Sequence, residues 1–282
     1  MSAAVLSTSA TIAPNAQIGF GSVLRSEWIK LTSLRSTVLS LLAVVLIIFT
    51  IAVGLAATMG QAGLPDQTSA RFALTHFDVG IQFSQFVVAV LGVLAITGEY
   101  SSGTIQSTLT TVPRRLLVLT CKAIALFALV FTVGALSLFG AWAATYPLFD
   151  QHDLAIGLGE PGFALALIGG ALNLALTAVF ALGLGVILRS AAGGTAAVLG
   201  VLLILPLAAS IIASGFDWVA NLAPYMLSAA GEAMAKVADV LPAGTVAEPG
   251  SLLHPAMGTL VVLIWTAVSL LLAALALHRR DA

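Results

Sequence analysis

Charge is what this chain has least of. Only 8% of its 282 residues are Asp, Glu, Lys or Arg, against about a quarter in soluble domains. Hydrophobic residues make up 60% of the chain and the mean hydropathy is +1.09. That composition excludes an ordinary soluble domain and implies an integral membrane protein. The formal net charge of −1 implies no polyanionic partner and no nucleic acid, so the placement of charges carries more information than their sum. Cysteine is nearly absent too: Cys121 alone excludes an intrachain disulfide and any cysteine-based metal cluster. Beside Lys122, it reads as a small packing residue more readily than as a reactive thiol.

The catalytic vocabulary is equally thin. A Walker A loop needs Gly-Lys-Ser/Thr, and the three lysines, Lys30, Lys122 and Lys236, follow Ile, Cys and Ala. The zinc-protease and nucleophile-elbow patterns are missing as well. His152 lies near Asp150 and Asp153 without a second histidine at ligand spacing, which reads as a solvated acidic loop. No enzyme chemistry, metal or bound cofactor is therefore expected.

Long apolar runs are abundant. Six are long enough to cross a hydrocarbon core that needs about 20 helical residues, at about 37–58, 77–97, 117–141, 163–188, 192–213 and 256–277. The expected fold is an all-α integral membrane protein of six transmembrane helices. An N-terminus in the cytoplasm puts Arg25, Lys30, Arg35, Arg114, Arg115, Lys122, Arg189, Arg279 and Arg280 inside and only Arg71 and Lys236 outside, so both termini are expected to be cytoplasmic. No charged residue falls in the middle of a span. Asn173, with Thr177 one turn later, is the clearest mid-span polar pair, open to an interhelical hydrogen bond or to a substrate path. Gly169, Gly170, Gly183 and Gly185 in the fourth span, and Gly193, Gly194 and Gly200 in the fifth, offer small faces for close packing, and Pro206 loosens the fifth.

Between the spans, residues 1–16 read as a disordered cytoplasmic tail rather than a cleaved signal peptide. Over 17–35, Phe20, Leu24, Trp28 and Leu31 recur at helical spacing, while Arg25, Glu27, Lys30 and Arg35 take the polar positions. This predicts an amphipathic connecting helix at the interface, anchored by Trp28; an extension of the first span is the alternative. The run from Thr97 to Arg115 interrupts the apolar chain. Ser101 or Ser102 can cap a short helix with Ile105 and Leu109 on one face, and Pro113 stops it before Arg114 and Arg115. Such a surface helix suits a grip for a soluble partner. Residues 214–255 predict one or two short outer helices, with Leu227, Met234, Val237 and Leu241 on one face and Glu232, Lys236 and Asp239 on another.

In this order of parts the chain resembles the ABC-2 type transporter permease family, from Arg25 to the C-terminus. The resemblance is carried by Arg25-Ser26-Glu27-Trp28-Ile29-Lys30-Leu31 with Leu34-Arg35-Ser36-Thr37, by Gly98-Glu99-Tyr100-Ser101-Ser102-Gly103-Thr104 through Pro113-Arg114-Arg115 to Lys122, and by Gly183 to Ser190. Ala229-Ala230-Gly231 looks like a turn in that family's re-entrant outer region. The style is that of bacterial, actinobacterial-like drug and antibiotic exporters. The resemblance implies a subunit that dimerises, as homodimer or related heterodimer, in the bacterial plasma membrane and recruits two copies of a separate ATPase that binds ATP and Mg. It implies a coupling helix from Glu99 to Thr111, with Glu99, Ser101, Gly103, Thr104, Ile105, Leu109, Arg114 and Arg115 as coupling residues and Arg25, Glu27, Trp28 and Lys30 completing the contact. Glu99 would pair with the ATPase, with Arg114 or Arg115, or simply favour a helix N-terminus. Aromatic residues are only 7%, too few for a glycan-stacking rim, so a hydrophobic drug, lipid or peptide is the expected cargo. An ion-coupled carrier or a non-transport membrane protein is the alternative.

Overall fold

The computed structural model describes residues 19–58, 69–101, 115–151, 155–213, 215–237 and 253–279, with the side chains of 58, 69–76, 101 and 115 outside the description. Every regular element among the described residues is helical, and six segments are long and apolar enough to cross a membrane. The protein is a multi-pass helical membrane protein.

The first helix, α1 (Phe20–Ser33), ends at Leu34, whose extended backbone turns the chain into α2 (Arg35–Thr58). Both backbone groups of Leu34 are paired: its N–H donates to Lys30 O, and its O accepts from Val38 N–H. α1 is thus a helix separate from α2.

Next come α3 (Ser69–Ser101) and α4 (Arg115–Asp150), of 33 and 36 residues. At 1.5 Å per residue each is about 50 Å long, well beyond the hydrocarbon thickness. Two boundaries predicted from hydropathy therefore fall short. The third span continues past 141 to Asp150, and Trp142 Nε1 donates to Ile156 O at 3.0 Å, fastening the following loop to its end. The second span does not stop at Thr97: α3 runs on through Gly98, Glu99 and Tyr100 to Ser101. Thr97 Oγ1 bonds back to Val93 O, so a polar residue that looked like a boundary satisfies itself within the helix. The coupling helix is expected to start at Glu99, but Glu99 to Ser101 belong to α3, and the rest of it lies in 102–114, outside the described residues, as do 1–18.

At the centre stands α5 (Phe163–Leu188), buried along nearly its whole length against α3, α4 and α10. Its glycines explain how. A Cβ at Gly169 would run into the Met234 carbonyl, one at Gly183 into Ser269, and one at Gly185 would lie 3.2 Å from the Val93 carbonyl, while Gly92 of α3 presses on the Ala178 carbonyl in return. Backbones meet where a side chain would hold them apart. The fifth span is α6 (Ala191–Leu199), a π turn (Gly200–Ile204) and α7 (Leu205–Ala213). Leu205 N–H reaches back to Gly200 O immediately before Pro206, which has no N–H to donate. Gly200 has open space where a Cβ would stand, so it is not a packing glycine.

At the far end of the bundle are α8 (Asp217–Leu222), a 3₁₀ turn (Ala223–Tyr225) and α9 (Leu227–Met234), before α10 (Pro255–Arg279). Ala229, Ala230 and Gly231 lie inside α9 rather than in a turn. Most of this short helix is buried: Leu227, Ala230, Gly231, Ala233 and Met234 are wedged between α5 and α10, while Glu232 is partly exposed on the other side. Leu241 and Asp239 lie outside the described residues.

Candidate functional site

The face of α1 that packs on the bundle consists of Val23, Glu27 and Leu31, spaced by four. Val23 meets Val118 and Cys121 of α4, and the thiol of Cys121 is wholly buried there. Between the two apolar contacts sits Glu27, also wholly buried. The amphipathic pattern placed Glu27 on the polar side of the helix; it is instead the centre of the packed side, because a partner waits for it. Lys122 of α4, likewise buried, donates to Glu27 Oε2 and, at 2.8 Å, to Glu99 Oε1 of α3. Lys30 closes the ring, 2.8 Å from Glu27 Oε1 and 3.2 Å from Glu99 Oε1. Two carboxylates and two ammoniums thus tie α1, α3 and α4 together as a formally neutral cluster.

The environment acts on these groups in opposite senses. Burial by itself would push the Glu27 carboxyl up, but the Lys122 and Lys30 ammoniums outweigh it and hold it below the ordinary value of 4.5. Burial would likewise lower Lys30, and its contacts with Glu27 and Glu99 hold it above the ordinary 10.5. Both shifts favour the charged forms of Glu27 and Lys30. The ion pairs that these two residues make with Lys122 and Glu99 fix the angle at which α1 meets the bundle.

Of the residues named from sequence, the cluster brings together Glu27, Lys30, Glu99 and Lys122. Glu99 is in the last turn of α3, not at the start of a new helix. Arg25 and Trp28 stand on the exposed side of α1. Ser101 ends α3 and Arg115 begins α4, while Gly103, Thr104, Ile105, Leu109 and Arg114 lie outside the described residues. The burial of Glu27 had one visible signal, its place midway between Val23 and Leu31; the identity of its partner, 95 residues away, had none.

Asn173 and Thr177 are both buried within the bundle. Gln85 of α3, unnoticed in the sequence, donates from Nε2 to Thr177 Oγ1 at 3.1 Å and to Asn173 Oδ1 at 3.4 Å. Gly231 of α9 lies directly against the Asn173 amide, leaving no room for a Cβ. A polar centre in the middle of the bundle therefore joins α3, α5 and α9. Nearer the outer helices, Lys236 Nζ lies 2.7 Å from Glu232 and 3.9 Å from Asp78 of α3. Among the described residues no group of three His, Cys, Asp or Glu is placed to hold a metal ion.

No protein-family model matches the chain, and no curated protein matches it significantly.

Proposed function

We propose that this chain is the permease subunit of an ATP-binding cassette exporter of the ABC-2 type, which moves a hydrophobic or amphipathic compound across the bacterial plasma membrane with energy from a separate ATPase. The observation that carries this reading is the clamped α1: a helix set apart from the first span and locked by Glu27, Lys30, Glu99 and Lys122 onto α3 and α4 where they flank residues 102–114. In this reading α1 and 102–114 form one surface on the cytoplasmic side. Two ATPase copies grip that surface in a permease dimer, and closure of the ATPases on ATP and Mg displaces α3 and α4 as rigid bodies.

The test is co-expression with an ATPase encoded beside this chain, followed by co-purification and an ATPase assay in lipid with a panel of hydrophobic compounds. A stable complex with compound-stimulated hydrolysis is expected. Ile105→Asp with Leu109→Asp should abolish co-purification while leaving membrane insertion intact; retained co-purification would sink the docking assignment.

Asp78 favours a second reading. A mostly buried carboxylate on a membrane-spanning helix, facing Lys236 across 3.9 Å, is the kind of group an ion-coupled carrier uses. Efflux that survives ATP depletion and collapses with an uncoupler would select the carrier.

A further inference from the structure

Next to Glu99 at the end of α3 is Tyr100, and the Arg189 guanidinium lies over its ring, 5.5 Å from the centroid. Arg189 belongs to the two-residue turn between α5 and α6. Its N–H closes α5 on Gly185 O at 2.9 Å, and Ser190 Oγ caps α6 by accepting from Gly193 N–H. The backbone of Arg189 is left-handed, with φ 51, the only non-glycine residue so placed among those described. A helix end of this shape ordinarily carries glycine, which adopts it without strain. An arginine that accepts the strain, and whose planar cation rests on an aromatic face, is there for its side chain.

The same turn already holds α3 one step inward. Val93 lies between Gly185 of α5 and Gly194 of α6: a Cβ at Gly194 would stand 2.7 Å from its side chain, and one at Gly185 would stand 3.2 Å from its carbonyl oxygen. Tyr100 lies seven residues further along, about 10 Å nearer the helix end. The turn therefore grips α3 at two points, and the outer one is adjacent to the charge cluster.

We infer that Arg189 is a positioning residue that ties the α5–α6 turn to the end of α3, so that a displacement entering through 102–114 is delivered to α5 and α6 as well as to α3 and α4. The tie itself stands on the geometry; the displacement it transmits rests on the proposed function. Deeper in the bundle α3 also meets the central helix through apolar packing and the Gln85 hydrogen bonds to Asn173 and Thr177; the tie adds a contact at the helix end itself, beside 102–114.

The permease reconstituted in lipid nanodiscs provides the first test, by hydrogen exchange of amides 97–101, across the contact from the mutated turn. Arg189→Gly relieves the backbone while removing the guanidinium with its aliphatic stem, so folding should survive, and exchange at 97–101 should rise about threefold or more. Tyr100→Phe keeps the ring face and should exchange like wild type; Tyr100→Leu should loosen amides 186–194, and adding Arg189→Gly should have no further effect on them. Unchanged exchange in Arg189→Gly, or additive effects in the double variant, would overturn the tie. In the complex with its ATPase, Arg189→Gly should keep co-purification and basal hydrolysis but lose most compound stimulation. Full stimulation would overturn transmission through Arg189. Failure of the wild type to bind any ATPase would instead count against the proposed function, and the exchange cycle would still decide whether the tie exists.

Discussion

Removing Lys122 would take the buried ammonium from Glu27 and Glu99 and leave the wholly buried Glu27 to the partly exposed Lys30. Losing one partner of a buried ion pair costs about 3–5 kcal/mol, whereas replacing the whole pair with neutral groups costs far less. Lys122→Met is therefore expected to lower the thermal midpoint in detergent sharply, and Glu27→Gln in the same chain to restore part of it; a neutral single substitution would refute the assignment. The pH response follows from the direction of each shift. Glu27 is held below 4.5, so its contribution is complete above that value and is lost as pH falls through the lowered one. Lys30 is held above 10.5, so its contribution is complete below that value and is lost as pH rises through the raised one. Midpoints measured across pH should show a plateau between these limits, and Glu27→Gln should flatten the acid side and reduce the alkaline side, since Glu27 is one of the groups that raise Lys30.

At the scale of elements, glycines separate into those that set helix spacing and those that do not. A methyl at Gly92 would meet the backbone carbonyl of Ala178, which cannot rotate away, whereas a methyl at Gly54 meets nothing within 4 Å. Gly92→Ala should destabilise by about 1–3 kcal/mol, and Gly54→Ala should be neutral or slightly stabilising; both are read from thermal unfolding of the purified protein. Composition alone does not distinguish the two, since both lie in apolar helices. The close-packing faces of the fourth span were legible because its glycines cluster. Gly92 and Gln85 were not, because each acquires meaning only from the residue opposite, on α5. The length of α3 and α4 was hidden for a related reason. Hydropathy measures where hydrocarbon would begin and end, while the helices continue as long as packing and internal hydrogen bonds support them.

At the scale of the whole molecule, the distribution of Lys and Arg predicts which end of the bundle faces the cell interior. With Cys121→Ala as background, a cysteine placed at Lys236 should react with an impermeant maleimide on intact cells, and one placed at Arg25 only after permeabilisation. The reverse pattern would invert the topology and remove α1 from the reach of any cytoplasmic ATPase. The structure puts α1, the ends of α3 and α5, and the starts of α4 and α6 together at one end of the bundle, with α8 and α9 at the other. The labelling experiment therefore decides the orientation of every element at once.

The sequence by itself determined that the chain holds six apolar stretches long enough to cross a membrane as helices, because transfer of apolar side chains from water is a local, additive property that can be read residue by residue. It left open whether the N-terminal helix is separate from the first span, which the break at Leu34 decided. Only the tertiary structure decided that Glu27 is buried rather than solvated, that Glu99 belongs to α3, that Gln85 meets Asn173, and that Arg189 lies on Tyr100. Each is a pairing of polar or charged groups far apart in the chain, and the environment that makes such a pairing favourable exists only once the helices have packed.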